Sequence, residues 1–190
     1  IGSKLRSLST NLLLKDSLVS IGLRHINALS EESGETVRLS VLSDLEAVDL
    51  IAKESAQEVR VTATPGFRMP LYCSAVGKTL LAFRPDKEIR EILSQVDMVK
   101  FTDRTITNIP ELLAHLARVR NKGYAVNEDE SSRSAYGIAA PITDYRGEVV
   151  AALGMGIPGS RFTDDRFNTF LRMLLQQAAK LSQDLGSLSR

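Results

Sequence analysis

The chain has a single cysteine, no tryptophan, two histidines and a net charge of only +1 across 190 residues. Each scarcity removes a class of function. The lone Cys73 cannot close an internal disulfide, so a reducing, cytoplasmic setting is expected. His25 and His115 stand far apart in the sequence, each inside a helical pattern without a second ligand nearby. No metal site and no cofactor are therefore expected. A near-zero net charge supplies no overall field to draw nucleic acid or a membrane surface. No apolar run approaches the ~18 residues of a spanning helix, and no secretory leader is visible.

What is present is the chemistry of one globular domain: 43% hydrophobic and 25% charged residues, with length enough for its own core. The chain starts at Ile1, without methionine and inside a helical pattern, which points to a piece of a longer protein. Ile1, Leu5, Leu8 and Leu12 form a narrow apolar seam suited to a connecting or dimer helix. Asp16 or Ser17 can restart a helix to about residue 33, with Val19, Leu23, Ile26 and Leu29 inward and Gly34 as its stop. Residues 36–42 and 47–53 alternate across a Ser43-Asp44 turn, a hairpin signal. Val59, Val61 and Ala63 predict a third strand, ended by Pro65-Gly66.

Ser74 caps a helix that follows Pro70, and Asp86 opens a short one. Asn108, Pro110 and Glu111 predict a helix start, and Lys122-Gly123 its end. A short strand over 124–127 leads into a polar loop. Apolar strands over 138–142 and 149–155 are joined at Asp144-Tyr145-Arg146-Gly147. A last helix buries Phe167, Phe170, Leu171, Leu174, Ala178, Leu181 and Leu185, and Gly186 ends it. Hairpins flanked by helices predict an α+β domain with a mainly antiparallel sheet.

Several motifs invite chemistry. Gly77-Lys78-Thr79 resembles the end of a phosphate-binding loop, but the first glycine of that loop falls at Tyr72, and Pro70 interrupts the strand that should lead in. Gly154-Met155-Gly156-Ile157-Pro158-Gly159 matches G-x-G-x-x-G, yet only one helix follows, so the dinucleotide unit is incomplete. These glycines then open space beside a pocket or simply end a strand. Cys73, ahead of a helix start, is a candidate nucleophile without a histidine partner. Glu128-Asp129-Glu130 could supply an acid–base pair or a solvated loop, and Tyr136 a pocket lid or core cover. The residues alone leave three readings open: a ligand-sensing domain, an enzyme acting on a small acid, and a dimerisation module with an empty pocket.

Two blocks carry a resemblance. Residues 69–82, Met-Pro-Leu-Tyr-Cys-Ser-Ala-Val-Gly-Lys-Thr-Leu-Leu-Ala, resemble the P-L-(H/Y)-x-(S/T)-A-x-G-K-x-L-L-A signature of IclR-type bacterial transcriptional regulators. The second block runs from Arg120 through Gly123 to Glu130, then 138–142, Asp144, Gly147 and 151–153. The resemblance covers nearly the whole chain. It implies a GAF-like effector-binding domain over 15–190. Residues 1–14 would be the linker helix from a preceding winged helix-turn-helix domain, through which alone DNA would be bound. It also implies a non-enzyme that forms a homodimer or tetramer and binds a small-molecule effector.

In that family the effector sits over the sheet, anchored on the backbone at a helix start that matches Ala75, Val76 and Gly77. Tyr136 joins the candidate site, and polar side chains come from positions matching 127, 137, 154 and 156. Keto-acid-binding members typically carry Asp, Cys, Ser and Ser there; here they are Asn127, Gly137, Gly154 and Gly156. One charge and three polar side chains are lost, which predicts a larger cavity and a larger effector, still bearing a carboxylate.

Overall fold

The computed structural model describes residues 2–187, with side chains from 16 to 186. Helix α1 (Gly2–Ser33) leads into a hairpin of β1 (Thr36–Ser43) and β2 (Glu46–Lys53). Then come β3 (Arg68–Pro70), α2 (Ala75–Ala82), α3 (Asp86–Leu93) and α4 (Ile109–Lys122). Strands β4 (Ala125–Glu128), β5 (Ala135–Thr143) and β6 (Val149–Pro158) follow, and α5 (Asp164–Ser187) closes the chain. The sheet runs β3-β2-β1-β6-β5-β4, every pair antiparallel.

Both faces of the central strands are covered, so alternation sorts residues between two cores rather than between core and water. Val37, Leu39, Leu153, Met155, Ile138 and Ile142 meet α1 and α5 on one face. Ala139 and Ala152 share the other core with Val76 and Leu80 of α2 and Leu112 and Leu116 of α4. Small residues on this second face let α2 lie close to the sheet.

The caps form as their local chemistry dictates. Asn108 Oδ1 accepts the Glu111 N–H at 2.9 Å, and Gly123 ends α4 with a left-handed φ of 78°. Asp144 Oδ1 accepts from Arg146 and Glu148 N–H and shapes the β5–β6 turn.

Three expectations change. Helix α1 is unbroken through Asp16 and Ser17; two capping residues do not stop a helix whose next turns are held by packing on the sheet. The seam at Ile1, Leu5, Leu8 and Leu12 falls on residues or side chains outside the described set. Ile26 and Leu29 are buried as expected and Val19 packs on the core, but Leu23 is 47% exposed while Leu18 and Gly22 are buried, so the stripe is rotated in its first turns. Gly22 explains the rotation: a Cβ there would sit 2.9 Å from both Leu39 and Ile51, so the helix touches the sheet along this line.

The third strand is not 59–63 but β3. The edge of β2 is already taken: Asp49 exchanges backbone hydrogen bonds with Gly66 and Phe67, and residues 46–48 pair with 68–70. Residues 54–67 instead form an irregular strap held by side chains. Thr36 Oγ1 donates to the Val61 carbonyl at 2.6 Å. Glu54 accepts from the Ala63 N–H at 2.9 Å, and Arg161 ties Glu35 to the Val59 carbonyl.

Helices α1 and α5 are clamped by His25, whose Nε2 lies 2.9 Å from Asp184 and whose Nδ1 lies 2.7 Å from the Gln177 amide nitrogen. The amide can only donate, so Nδ1 accepts and Nε2 carries the proton. Burial pushes the His25 pKa down against the pull of Asp184, in keeping with this neutral ring.

Candidate functional site

The sheet presents one face to α2, and there the sheet, the strap and the loops at Phe101 and Ser131 line a cavity of about 340 Å³. At roughly 30 Å³ per water in the liquid, that is room for a small organic molecule, not for an ion alone. Along the floor, in strand order, stand Asn127 on β4, Gly137 on β5, Gly154 and Gly156 on β6 and Arg38 on β1. Ala75 and Val76 form its roof, and Tyr136 its rim.

The roof is built by Ser74. Its extended backbone (φ −96°, ψ 148°) makes it the cap of α2. Its Oγ accepts the Gly77 N–H at 3.1 Å and donates to the Pro70 carbonyl at 2.6 Å. The Ala75 and Val76 N–H groups have no acceptor among the described residues. They leave two donors, with the positive end of a helix dipole, at the cavity wall.

Gly77, placed in the site by sequence, does not line it. Its amide is consumed by Ser74, and its missing side chain is what lets the Leu71 backbone pass.

Asn127 lines the cavity but spends its amide group within its own loop. Its Oδ1 accepts from Glu130 N–H and its Nδ2 donates to Ser131, both at 2.8 Å. Tyr136 is held, not loose. It donates to Asp129 at 3.1 Å and stacks on Phe162 with ring centroids 4.3 Å apart.

The glycines do not all add volume. A Cβ at 154 would lie 2.5 Å from Val76 Cγ1, and one at 156 would lie 2.9 Å from Val61 Cγ1. Neighbouring valines occupy the space that a serine would need. Only Gly137 is open, its nearest neighbour being Ala75 Cβ at 3.5 Å. Gly137→Ala is therefore expected to leave the unfolding free energy from urea titration within about 0.5 kcal/mol of the parent. Gly154→Ala should cost about 1–3 kcal/mol by overpacking. Equal effects would contradict this division of the floor.

The candidate catalytic groups do not assemble. Cys73 is fully buried, and burial, aided by Glu130, pushes its thiol up to about 12, so no thiolate forms near neutrality. Of the acidic run, Glu128 reaches outward to Arg104, Asp129 holds Tyr136 and Ser134, and Glu130 turns inward to Lys78. Lys78 is wholly buried and donates to the Val126 carbonyl at 2.6 Å and to Glu130. It fastens the rim loop to α2 and meets no phosphate-loop geometry. No group of three or more His, Cys, Asp or Glu side chains able to hold a metal occurs among the described residues.

His115, near Lys78 on α4, has its pKa lowered to about 4 by burial first and then by Lys78, Arg118 and Lys122. The unfolded chain, with His near 6.5, takes up this proton first. His115 therefore contributes stability that is complete above pH 6.5 and disappears as the pH falls toward 4, on the order of 2 kcal/mol. His115→Gln should flatten that interval in a plot of urea midpoint against pH.

Sequence reading missed Arg38, which is only 6% exposed and lies in the cavity wall. Its Nη1 donates to Asp49 at 3.2 Å and its Nη2 to the Thr62 carbonyl at 2.9 Å. Ser40 donates to the other Asp49 oxygen at 2.6 Å. Burial lowers the Arg38 pKa and raises that of Asp49, and the pairing opposes both shifts. Arg38, Ser40 and Asp49 are polar residues of two paired strands on the face that α2 covers, a placement that alternation alone reads as solvent-facing.

An antiparallel sheet with a cavity under a helix start defines an α+β domain of the GAF-like kind. The chain belongs to the IclR family of bacterial transcriptional regulators, as its C-terminal, effector-binding region. The family description "Bacterial transcriptional regulator IclR C-terminal" matches residues 11–183. The chain is 33% identical over 183 residues to the HTH-type transcriptional regulator KdgR of Escherichia coli K12, covering 96% of this chain and 70% of that protein. It is 37% identical over 154 residues to the HTH-type transcriptional repressor AllR of Salmonella typhi, covering 81% of this chain and 57% of that one. Among solved structures, the C-terminal domain of E. coli KdgR superposes with a TM-score of 0.81 at 33% identity, covering 90% of this chain and 99% of that domain. These relatives are transcriptional regulators, not enzymes.

Proposed function

We propose that this chain is the sensing half of a longer IclR-type repressor or activator, and that its cavity takes a carboxylate-bearing metabolite of more than three carbons. One observation carries the reading: a cavity of about 340 Å³ is walled by Ala75 and Val76, whose N–H groups lack acceptors. Donors at a helix start hold a carboxylate, and the remaining wall is too wide for a two- or three-carbon acid to touch on all sides. The contacting set is Ala75, Val76, Tyr136 and Gly137, with Gly154 and Gly156 as floor beneath Val76 and Val61 and Asn127 shaping the rim. Residues 1–14 connect to a preceding DNA-binding domain. No described helix is long and apolar enough to cross a membrane, in keeping with a cytoplasmic regulator.

The chain acts as a homodimer or tetramer in which the effector binds one arrangement more tightly than another. That differential affinity is the only way a ligand shifts such an equilibrium. A thermal-shift series of carboxylic acids graded from two to ten carbons tests the reading. The largest shift is expected above three carbons. A maximum at glyoxylate or pyruvate would overturn the size argument, and no shift with any acid would favour a ligand-free dimerisation module.

A further inference from the structure

The two ends of the cavity carry separate sets of unused donors, and only one belongs to the helix start. Arg38 has five N–H bonds. One meets Asp49, one the Thr62 carbonyl, and a third only the Met69 thioether at 2.9 Å, a weak acceptor. The other two, including that on Nε, have no acceptor among the described residues. This is a buried guanidinium, 6% exposed, with capacity for one more oxygen-bearing group. Its carboxylate partner Asp49 already cancels its charge. Phe67 covers it, with the guanidinium carbon 5.9 Å from the ring centroid.

Strand order sets the distance between the two anchors. Ala75 stands over Gly137 on β5, with a Cβ there 3.5 Å from its own. Arg38 is on β1, with β6 between. Two strand spacings place it roughly 10 Å away, and its head points further on, toward Asp49 on β2 and Met69 on β3. The wall between is apolar: Val76 and Val61 fill the space over Gly154 and Gly156.

We propose that Arg38 is a specificity-determining residue that receives a second oxygen acceptor at the far end of the effector, so that the pocket selects a two-ended acid over a monoacid of the same length. The ligand class is a carboxylate held at α2, an apolar body of a few carbons, and a second carboxylate or carbonyl at Arg38. The effector's second group takes the N–H directions that now face the Met69 sulfur or nothing, while Asp49 keeps its own contact. The inference rests on the carboxylate reading above.

Calorimetric titration of the chain with dicarboxylates of five to eight carbons, each paired with the monocarboxylate of equal length, tests it. One diacid should bind at least about tenfold more tightly than its monoacid, the effect of one charge-assisted hydrogen bond. Arg38→Lys keeps a cation opposite Asp49 but removes the planar fork. It should bring that ratio to within about threefold, chiefly by weakening the diacid. Arg68→Met removes an exposed cation of the same wall, paired with Glu46, and should leave the ratio unchanged. Monoacids that bind as well as diacids, a ratio untouched by Arg38→Lys, or a ratio lost in Arg68→Met would overturn the assignment while the carboxylate site stands. If no acid of either series binds, the carboxylate reading fails and this inference with it.

Discussion

Lys78→Met is expected to destabilise the fold by about 3–5 kcal/mol, because it removes one partner of a buried ion pair and leaves the other behind. Lys78 is wholly buried and Glu130 nearly so. Lys78 donates to Glu130 Oε1, while Oε2 is buried with no partner among the described residues. Burial drives the Glu130 pKa up and the Lys78 pKa down, and their contact is the largest influence opposing it. With the ammonium gone, the carboxylate either stays charged in an apolar site or takes a proton from water near neutrality; both cost free energy. For a chain of 190 residues the loss corresponds to a fall of roughly 10 °C in Tm.

The double variant Lys78→Met with Glu130→Met should recover most of that loss, since a well-packed apolar pair often replaces a buried ion pair at little cost. Thermal unfolding of both variants decides it. A single variant within 1 kcal/mol of the parent, or a double variant no better than the single, would show that the pair is solvated. The pair also fixes Glu130, whose N–H donates to Asn127, and Asn127 shapes the cavity rim. A salt bridge outside the cavity lining therefore holds one of its walls.

What the sequence made legible were the features decided within a few residues. Ser74 and Asn108 cap helices because short polar side chains reach orphan N–H groups. The same locality covers Gly123 and the Asp144–Gly147 turn. The hairpin of β1 and β2 is equally local. Non-local pairing was not legible. Val59, Val61 and Ala63 alternate as a strand does, but the sheet edge they would join is occupied by residues 66–70. Val61 then serves the cavity by lying on Gly156.

Site composition failed in a related way. Counting lost serines predicts added volume at 154 and 156, but a single sequence does not show which neighbouring side chain moves in. Arg38 was passed over because a polar residue between Val37 and Leu39 reads as a solvent face. The helix that covers this face is set by contacts about forty residues away.

Gly77→Ala should be the most damaging single methyl group in the site, although residue 77 does not touch the cavity. A Cβ there would lie 2.5 Å from Leu71 Cα, 2.7 Å from the Leu71 carbonyl oxygen and 2.6 Å from Ser74 Oγ. Two of those atoms are backbone and cannot rotate aside, and the third is the cap of the helix. Alanine gains about 1 kcal/mol of helix propensity. Against that stand overpacking, about 1–3 kcal/mol or more, and loss of the Ser74 cap, about 1 kcal/mol. The net expectation is about 1–3 kcal/mol of destabilisation by urea unfolding. If the strain is relieved by moving α2 away from Leu71, the Ala75 and Val76 amides move with it. Affinity for the best acid of the graded series should then fall at least about tenfold, whereas Gly137→Ala, inside the cavity, loses less. Equal affinities in the two variants would mean that the helix start tolerates displacement and that the cavity floor, not its roof, carries the binding.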